Sequence, residues 1–151
     1  IENIVDSKKL SRKNRIKLSN NIIVNSQCVS IGVATKDEID DINIHHATLL
    51  SMKRAVDNLR IIPDKIYFDG LYVPDSNIES HAIVKGDSKI REISAASIIA
   101  KVARDNEMTH LNKMFKIYDL VKNKGYGTPH HLQAISFFGK TIYHRESFLK
   151  L

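Results

Sequence analysis

Lys65-Ile66-Tyr67-Phe68-Asp69-Gly70, then Ala82-Ile83-Val84-Lys85-Gly86-Asp87, then Ile93-Ser94-Ala95-Ala96-Ser97-Ile98-Ile99-Ala100-Lys101-Val102-Ala103-Arg104-Asp105: this stretch decides the fold. Each of the first two segments is a short apolar run that ends on an aspartate beside a glycine. A strand that crosses a core and stops on a carboxylate brings that charge to the sheet edge. The third segment is rich in alanine and free of Gly and Pro. Apart from Lys101, residues 93–103 are apolar or small, which predicts a long and largely buried helix, with Ala96, Ala100 and Ala103 lying close against a sheet.

An aspartate at a strand end is commonly a turn residue or cap. Two in succession, at the ends of two neighbouring strands, suggest part of a cage for a hard divalent cation such as Mg2+ or Mn2+. Such an ion binds phosphate oxygens and activates water. Asp69 and Asp87 are therefore the candidate metal and catalytic residues. Asp105, just past the apolar helical stretch, is expected to pair with an Arg or Lys.

Working outward, Ser11 is placed to cap a helix reaching about Ile23. Val29, Ile31 and Val33 alternate with Cys28, Ser30, Gly32 and Ala34 at the period of a strand, with Cys28 expected as a buried thiol. Thr35-x-x-Glu38 is a capping box for a short helix. A second helix opens near Asn43, its apolar stripe made of Leu49, Met52, Val56 and Leu59, with Lys53, Arg54, Asp57 and Asn58 toward water. Beyond the long helix, Met108 to Tyr118 continues helical. Residues 122–127, Lys-Asn-Lys-Gly-Tyr-Gly, read as a loop. Thr128 caps a last helix with Pro129 at its first position, Leu132, Ile135 and Phe138 on its buried face, and Gly139 at its end. The order predicts an α/β domain with helices on a mixed sheet.

The bulk numbers are compatible with this. At 151 residues and 42% apolar content, one domain (1–151) with a real core is expected. A net charge of +6 suits a polyanionic partner. Residues 1–17 concentrate it, with six Lys/Arg against two acids. The lone Cys excludes an internal disulfide and a cysteine-based zinc site. No apolar run reaches the roughly 18 residues of a membrane span.

Several words of the sequence are specific in combination: Asp6-Ser7-Lys8-Lys9-Leu10-Ser11, Lys85-Gly86-Asp87, the helix over 93–105, Lys124-Gly125-Tyr126-Gly127-Thr128, and His144-Arg145-Glu146-Ser147-Phe148. Together they resemble the ribonuclease HII family, the type 2 ribonucleases H, from residue 6 to residue 148. The resemblance implies a ribonuclease H-like mixed sheet with flanking helices and a helical C-terminal part. It implies endonucleolytic hydrolysis of the RNA strand of RNA–DNA hybrids, and cleavage 5′ to ribonucleotides embedded in DNA, with Mn2+ or Mg2+ at Asp69 and Asp87. It implies a cytoplasmic enzyme, expected as a monomer. The family also begins with a strand carrying Asp-Glu-x-Gly-Arg-Gly, and no such word occurs here. The chain is thus expected to be incomplete at its N-terminus, inactive alone, and left with an exposed strand edge and apolar surface.

For the substrate, Tyr126 stands between two glycines, which leaves its ring free to stack on a sugar or base. The resemblance places this ring at the ribonucleotide. Lys8, Lys9, Lys85, Arg104 and Arg145 are candidate phosphate contacts, which set affinity rather than sequence choice. Adjacent histidines diverge by about 100° on a helix, so His45-His46 and His130-His131 read as surface residues. The competing reading of the same lysines is a non-catalytic basic nucleic-acid-binding α/β module.

Overall fold

The computed structural model describes residues 10–149. Helix α1 (Arg12–Asn25) and helix α2 (Lys36–Asp57) precede two strands, β1 (Lys65–Asp69) and β2 (Glu79–Ile83). Helix α3 (Arg91–Met114), the short α4 (Leu120–Asn123) and α5 (Pro129–Phe138) follow. The described residues divide into two compact units, residues 10–99 with 145–149, and residues 100–144.

In the first unit β1 and β2 run parallel, with Lys65 opposite Glu79 and Asp69 opposite Ile83. The fold class is therefore α/β, as expected, but the described sheet has two strands and both run the same way. Ile22 of α1 is buried with Ile98 and Ile99 of α3, and Leu10, Leu18 and Ala95 pack around them. That cluster needs only one face of α3. Ala96, Ala100 and Lys101 are exposed, so the expectation of a helix buried on nearly every side is corrected: its small residues partly line the solvent face.

The local signals act where they were read. Ser11 Oγ accepts the Asn14 amide at the start of α1. Thr35 and Glu38 form both bonds of a capping box. Within α2, Asn43 breaks the helix at φ 64° and its Oδ1 accepts the amides of His45 and His46, re-capping the second half. Asn43 is thus a cap.

Residues 28–34 form no strand ladder among the described residues, contrary to expectation. They lie against α2 instead. A Cβ on Gly32 would stand 1.9 Å from the Ser51 carbonyl oxygen, and the Ser30 hydroxyl donates to the Ala55 carbonyl. The small side chains meet the helix, so Val29, Ile31 and Val33 face outward and are exposed. Cys28 is half-buried rather than buried. Arg54 stays partly exposed but is also engaged with the protein. Its Nη1 donates to the Val33 carbonyl at 2.7 Å, and both terminal nitrogens donate to Glu38. The guanidinium, with the Thr35 amide, holds the Glu38 carboxyl down to about 2.

No described helix is long and apolar enough to cross a membrane.

Candidate functional site

Parallel strands finish at a common edge, and this edge carries the first pair of candidates. Asp69 ends β1 and is exposed. The Gly70 amide, one residue on, donates to the Ile83 carbonyl at 3.0 Å, closing the ladder. The chain leaving β2 then turns through Lys85 in the left-handed region (φ 54°) into a single 3-10 turn, Gly86–Ser88. That turn brings the Gly86 amide to Asp69 Oδ1 at 2.8 Å. Asp69 is thereby hydrogen-bonded to the residue just before Asp87, and Asp87 is buried at 8% exposure.

Glycine is needed at position 86 for space. An added Cβ would lie 2.4 Å from Ile93 Cδ1, on the buried first turns of α3. The loop carrying the acid is wedged between β1 and α3.

Two carboxylates are the donor chemistry of a hard divalent ion, which commonly keeps one or two protein carboxylates and fills its shell with water and phosphate oxygens. Asp69 and Asp87 are of the right chemistry for two such positions, and the Gly86 amide links the first to the turn that carries the second. Among the described residues no group of three or more His, Cys, Asp or Glu is disposed to hold a metal.

In the second unit Tyr126 is 74% exposed on a tightly held backbone. Its amide donates to the Asn123 carbonyl at 2.9 Å, and its own carbonyl accepts the Thr128 amide at 2.8 Å. Lys124 (φ 55°) and Gly125 (φ 83°) are both left-handed, the turn the Gly-Tyr-Gly word was read to require. The loop begins two residues later than expected, since Lys122 and Asn123 close α4. Asn123 supports it from beneath: its Nδ2 donates to the Tyr118 carbonyl, and its Oδ1 accepts the Gly125 amide at 2.9 Å.

The cations distribute unevenly. Lys85 is exposed beside Asp87. Arg104 is exposed and paired with Glu107 at 2.6 Å. Arg145 lies with its guanidinium carbon 3.9 Å above the Phe148 ring, a cation–π contact. Lys8 and Lys9 lie outside the described residues. Asp105 is buried, with Lys124 Nζ at 4.0 Å, the expected basic partner.

Two sequence readings around the last helix are corrected. His131 is a core residue at 4% exposure, while His130 is exposed. Phe138 and Leu132 are exposed, and the buried face of α5 is His131, Ala134 and Ile135. The polar ring is accommodated because both nitrogens are partnered: Nδ1 is 2.9 Å from the Tyr126 carbonyl, and Nε2 is 3.1 Å from His144 Nε2. The sequence offered one signal for this, the three-residue step from the Thr128 cap to His131, which places its amide under the cap.

A further carboxylate escaped the sequence reading. Asp40 accepts the Ser147 hydroxyl and the Ser147 and Glu146 amides, and these bonds hold its carboxyl below the usual range. It anchors the C-terminal Glu-Ser turn and is committed to structure.

The chain matches the family described as Ribonuclease HII over residues 3–150. Among solved structures it is similar to the ribonuclease H2 from Pyrococcus horikoshii OT3. The TM-score is 0.77 at 24% identity, over 97% of this chain and 77% of that one. At that identity the likeness is one of fold.

Proposed function

From the premise that this chain belongs to the ribonuclease HII family, we propose that Asp69 and Asp87 hold a divalent cation, Mg2+ or Mn2+, for hydrolysis of the RNA strand of RNA–DNA hybrids and for cleavage 5′ to ribonucleotides embedded in DNA. Membership itself makes the protein a nuclease of the hydrolase class, directed at RNA–DNA hybrids. The observation that supports the metal reading is the 2.8 Å bond from the Gly86 amide to Asp69 Oδ1. It ties the end of β1 to the loop carrying Asp87, so the two acids sit on directly linked stretches of backbone.

Two carboxylates held close to one another favour a cation between them. When bound, the ion supplies charge neutralisation and an activated water. The chain's own part is to position the scissile phosphate. Phosphoryl transfer of this kind depends chiefly on alignment and electrostatics. Lys85 and Arg104 contribute point charges to phosphates. Tyr126 offers an exposed ring for stacking at the ribonucleotide, whose 2′-hydroxyl distinguishes it from its DNA neighbours.

The two acids of the Asp-Glu-x-Gly-Arg-Gly word do not occur in this sequence, so the 151-residue chain by itself is expected to bind substrate with metal but to cleave poorly. The test uses a fluorescent duplex containing one ribonucleotide. Binding that Mn2+ strengthens in the parent chain, and no longer strengthens in Asp69→Asn or Asp87→Asn, supports the reading. Binding that falls steeply with salt yet ignores both Mn2+ and Asp69→Asn would assign a non-catalytic basic module instead.

A further inference from the structure

We propose that His131 and His144 are positioning residues for substrate recognition: a hydrogen-bonded imidazole pair that fixes the Tyr126 carbonyl and so sets the attitude of the exposed phenol ring. The inference rests on Tyr126 being the stacking residue, and it concerns how that ring is held.

The hydrogen bonds around the pair select one tautomer for each ring. The Tyr126 carbonyl only accepts, so His131 Nδ1 carries the hydrogen and donates to it at 2.9 Å. His131 Nε2 is then an acceptor. His144 Nε2, 3.1 Å away, must donate to it. That leaves His144 Nδ1 as an acceptor, and the Thr141 amide donates to it at 2.9 Å. Every ring nitrogen is used, in one direction, from Thr141 through both imidazoles to Tyr126. The neutral pair is the one that satisfies all three contacts.

Tyr118 braces the same chain from the side. Its ring meets His144 edge-on at 4.9 Å and His131 at 5.9 Å. Its hydroxyl donates to the Gly139 carbonyl at 2.7 Å. Its carbonyl accepts from Asn123, whose own carbonyl takes the Tyr126 amide. The peptide groups on both sides of Tyr126 therefore lead back to one phenol and two imidazoles. A residue 74% exposed has little of its own packing to orient its ring, so the backbone beneath does so.

A histidine pair with all its bonds made, His131 buried and His144 half-buried, could instead be a core filler. The two roles separate by substitution. Asn places an amide N–H near the position of a histidine Nδ1, so His131→Asn retains the donor to Tyr126, whereas His131→Leu fills space without it. The readout is the preference of the full chain, with Mn2+, for a duplex containing one ribonucleotide over the same all-DNA duplex, measured by fluorescence anisotropy.

Loss of one stacking ring, in Tyr126→Ala, is expected to cut that preference roughly 5- to 100-fold. His131→Leu is expected to lose most of the same factor, His131→Asn to recover it, and the Tyr126→Ala/His131→Leu double variant to lose no more than Tyr126→Ala alone. A folded His131→Leu that keeps the full preference, while Tyr126→Ala loses it, overturns the positioning role. A Tyr126→Ala chain that keeps the preference overturns the stacking reading beneath it.

Nitrogen NMR of the unsubstituted protein gives a second measurement that needs no variant to fold. The hydrogen is expected on Nδ1 of His131 and Nε2 of His144. The opposite tautomer on His131 breaks the proposed link to Tyr126 and overturns the inference.

Discussion

The Gly86 amide donates to Asp69 Oδ1 at 2.8 Å, so one backbone group joins the end of the first strand to the turn that carries the second acid. The same glycine has Ile93 Cδ1 2.4 Å from where a Cβ would sit. Replacing Gly86 by Ala therefore forces a buried isoleucine to move or lifts the turn off Asp69. The expected cost is about 1–3 kcal/mol, the range for overpacking a filled core. Urea unfolding measures it, and an Mn2+ titration should show weaker binding in the folded variant. Unchanged stability and unchanged Mn2+ affinity together would detach the glycine from the acid pair.

Asp69→Asn separates charge from geometry. The amide side chain keeps an oxygen for the Gly86 N–H, so the turn should survive with stability nearly unchanged. What is lost is the charge that a divalent ion requires. Chelation with EDTA should lower hybrid binding by the parent chain to the level of Asp69→Asn, and should leave Asp69→Asn itself unaffected. If EDTA weakens both proteins equally, the ion acts elsewhere.

Much of this arrangement is written locally. The Ser11 cap, the Thr35–Glu38 box, the Asn43 break, the Thr128-Pro129 start and the strand ending on Asp69 all depend on residues within four positions of one another, and all are found, whereas β2 stops at Ile83 and Asp87 lies in the turn beyond it. The link between Asp69 and the Gly86 turn has a local basis too: strand, acid and glycine are contiguous on each side of it. Which face of an element becomes covered is a different question. Periodicity shows that Val29, Ile31 and Val33 share a side. It does not show that Gly32 and Ser30 would take the side against α2. The same gap misassigned Phe138 and His131. An apolar ring was given the buried position, whereas two well-placed acceptors make the imidazole the better fit.

Gly32 provides a sharper steric test than Gly86. A Cβ there would lie 1.9 Å from the Ser51 carbonyl oxygen and 2.5 Å from the Ala55 amide nitrogen. Both are backbone atoms of a helix and cannot rotate aside. Gly32→Ala should separate residues 28–34 from α2 and cost about 3 kcal/mol or more, beyond the usual effect of a single substitution. The measurement is again the urea midpoint, with Gly139→Ala as a control, since nothing lies within 4 Å of a Cβ at that position. Because Gly139 has φ 80°, that control carries backbone strain alone. Gly32→Ala falling no further than Gly139→Ala would mean that the close approach to α2 does not exist in solution.

Two acid-sensitive groups should be separable by pH. Burial, then the neighbouring His131, push His144 below its ordinary 6.5. Its folded value is depressed, so the unfolded chain takes up its proton first as acid is added. Stability from the neutral pair is therefore complete above about 6.5 and is lost as the pH falls from there toward the lowered value. Glu38 acts further down. Arg54 and the Thr35 amide hold it to about 2, against an ordinary 4.5, so its contribution is complete above 4.5 and fades as the pH falls toward 2. Thermal melts from pH 8 to pH 2 should show both losses in the parent chain. His144→Gln should remove the upper one, and Glu38→Gln should reduce the lower, which Asp40 shares. An upper loss that persists in His144→Gln would place the titrating group outside the imidazole pair and leave the Tyr126 carbonyl without its pH-sensitive support.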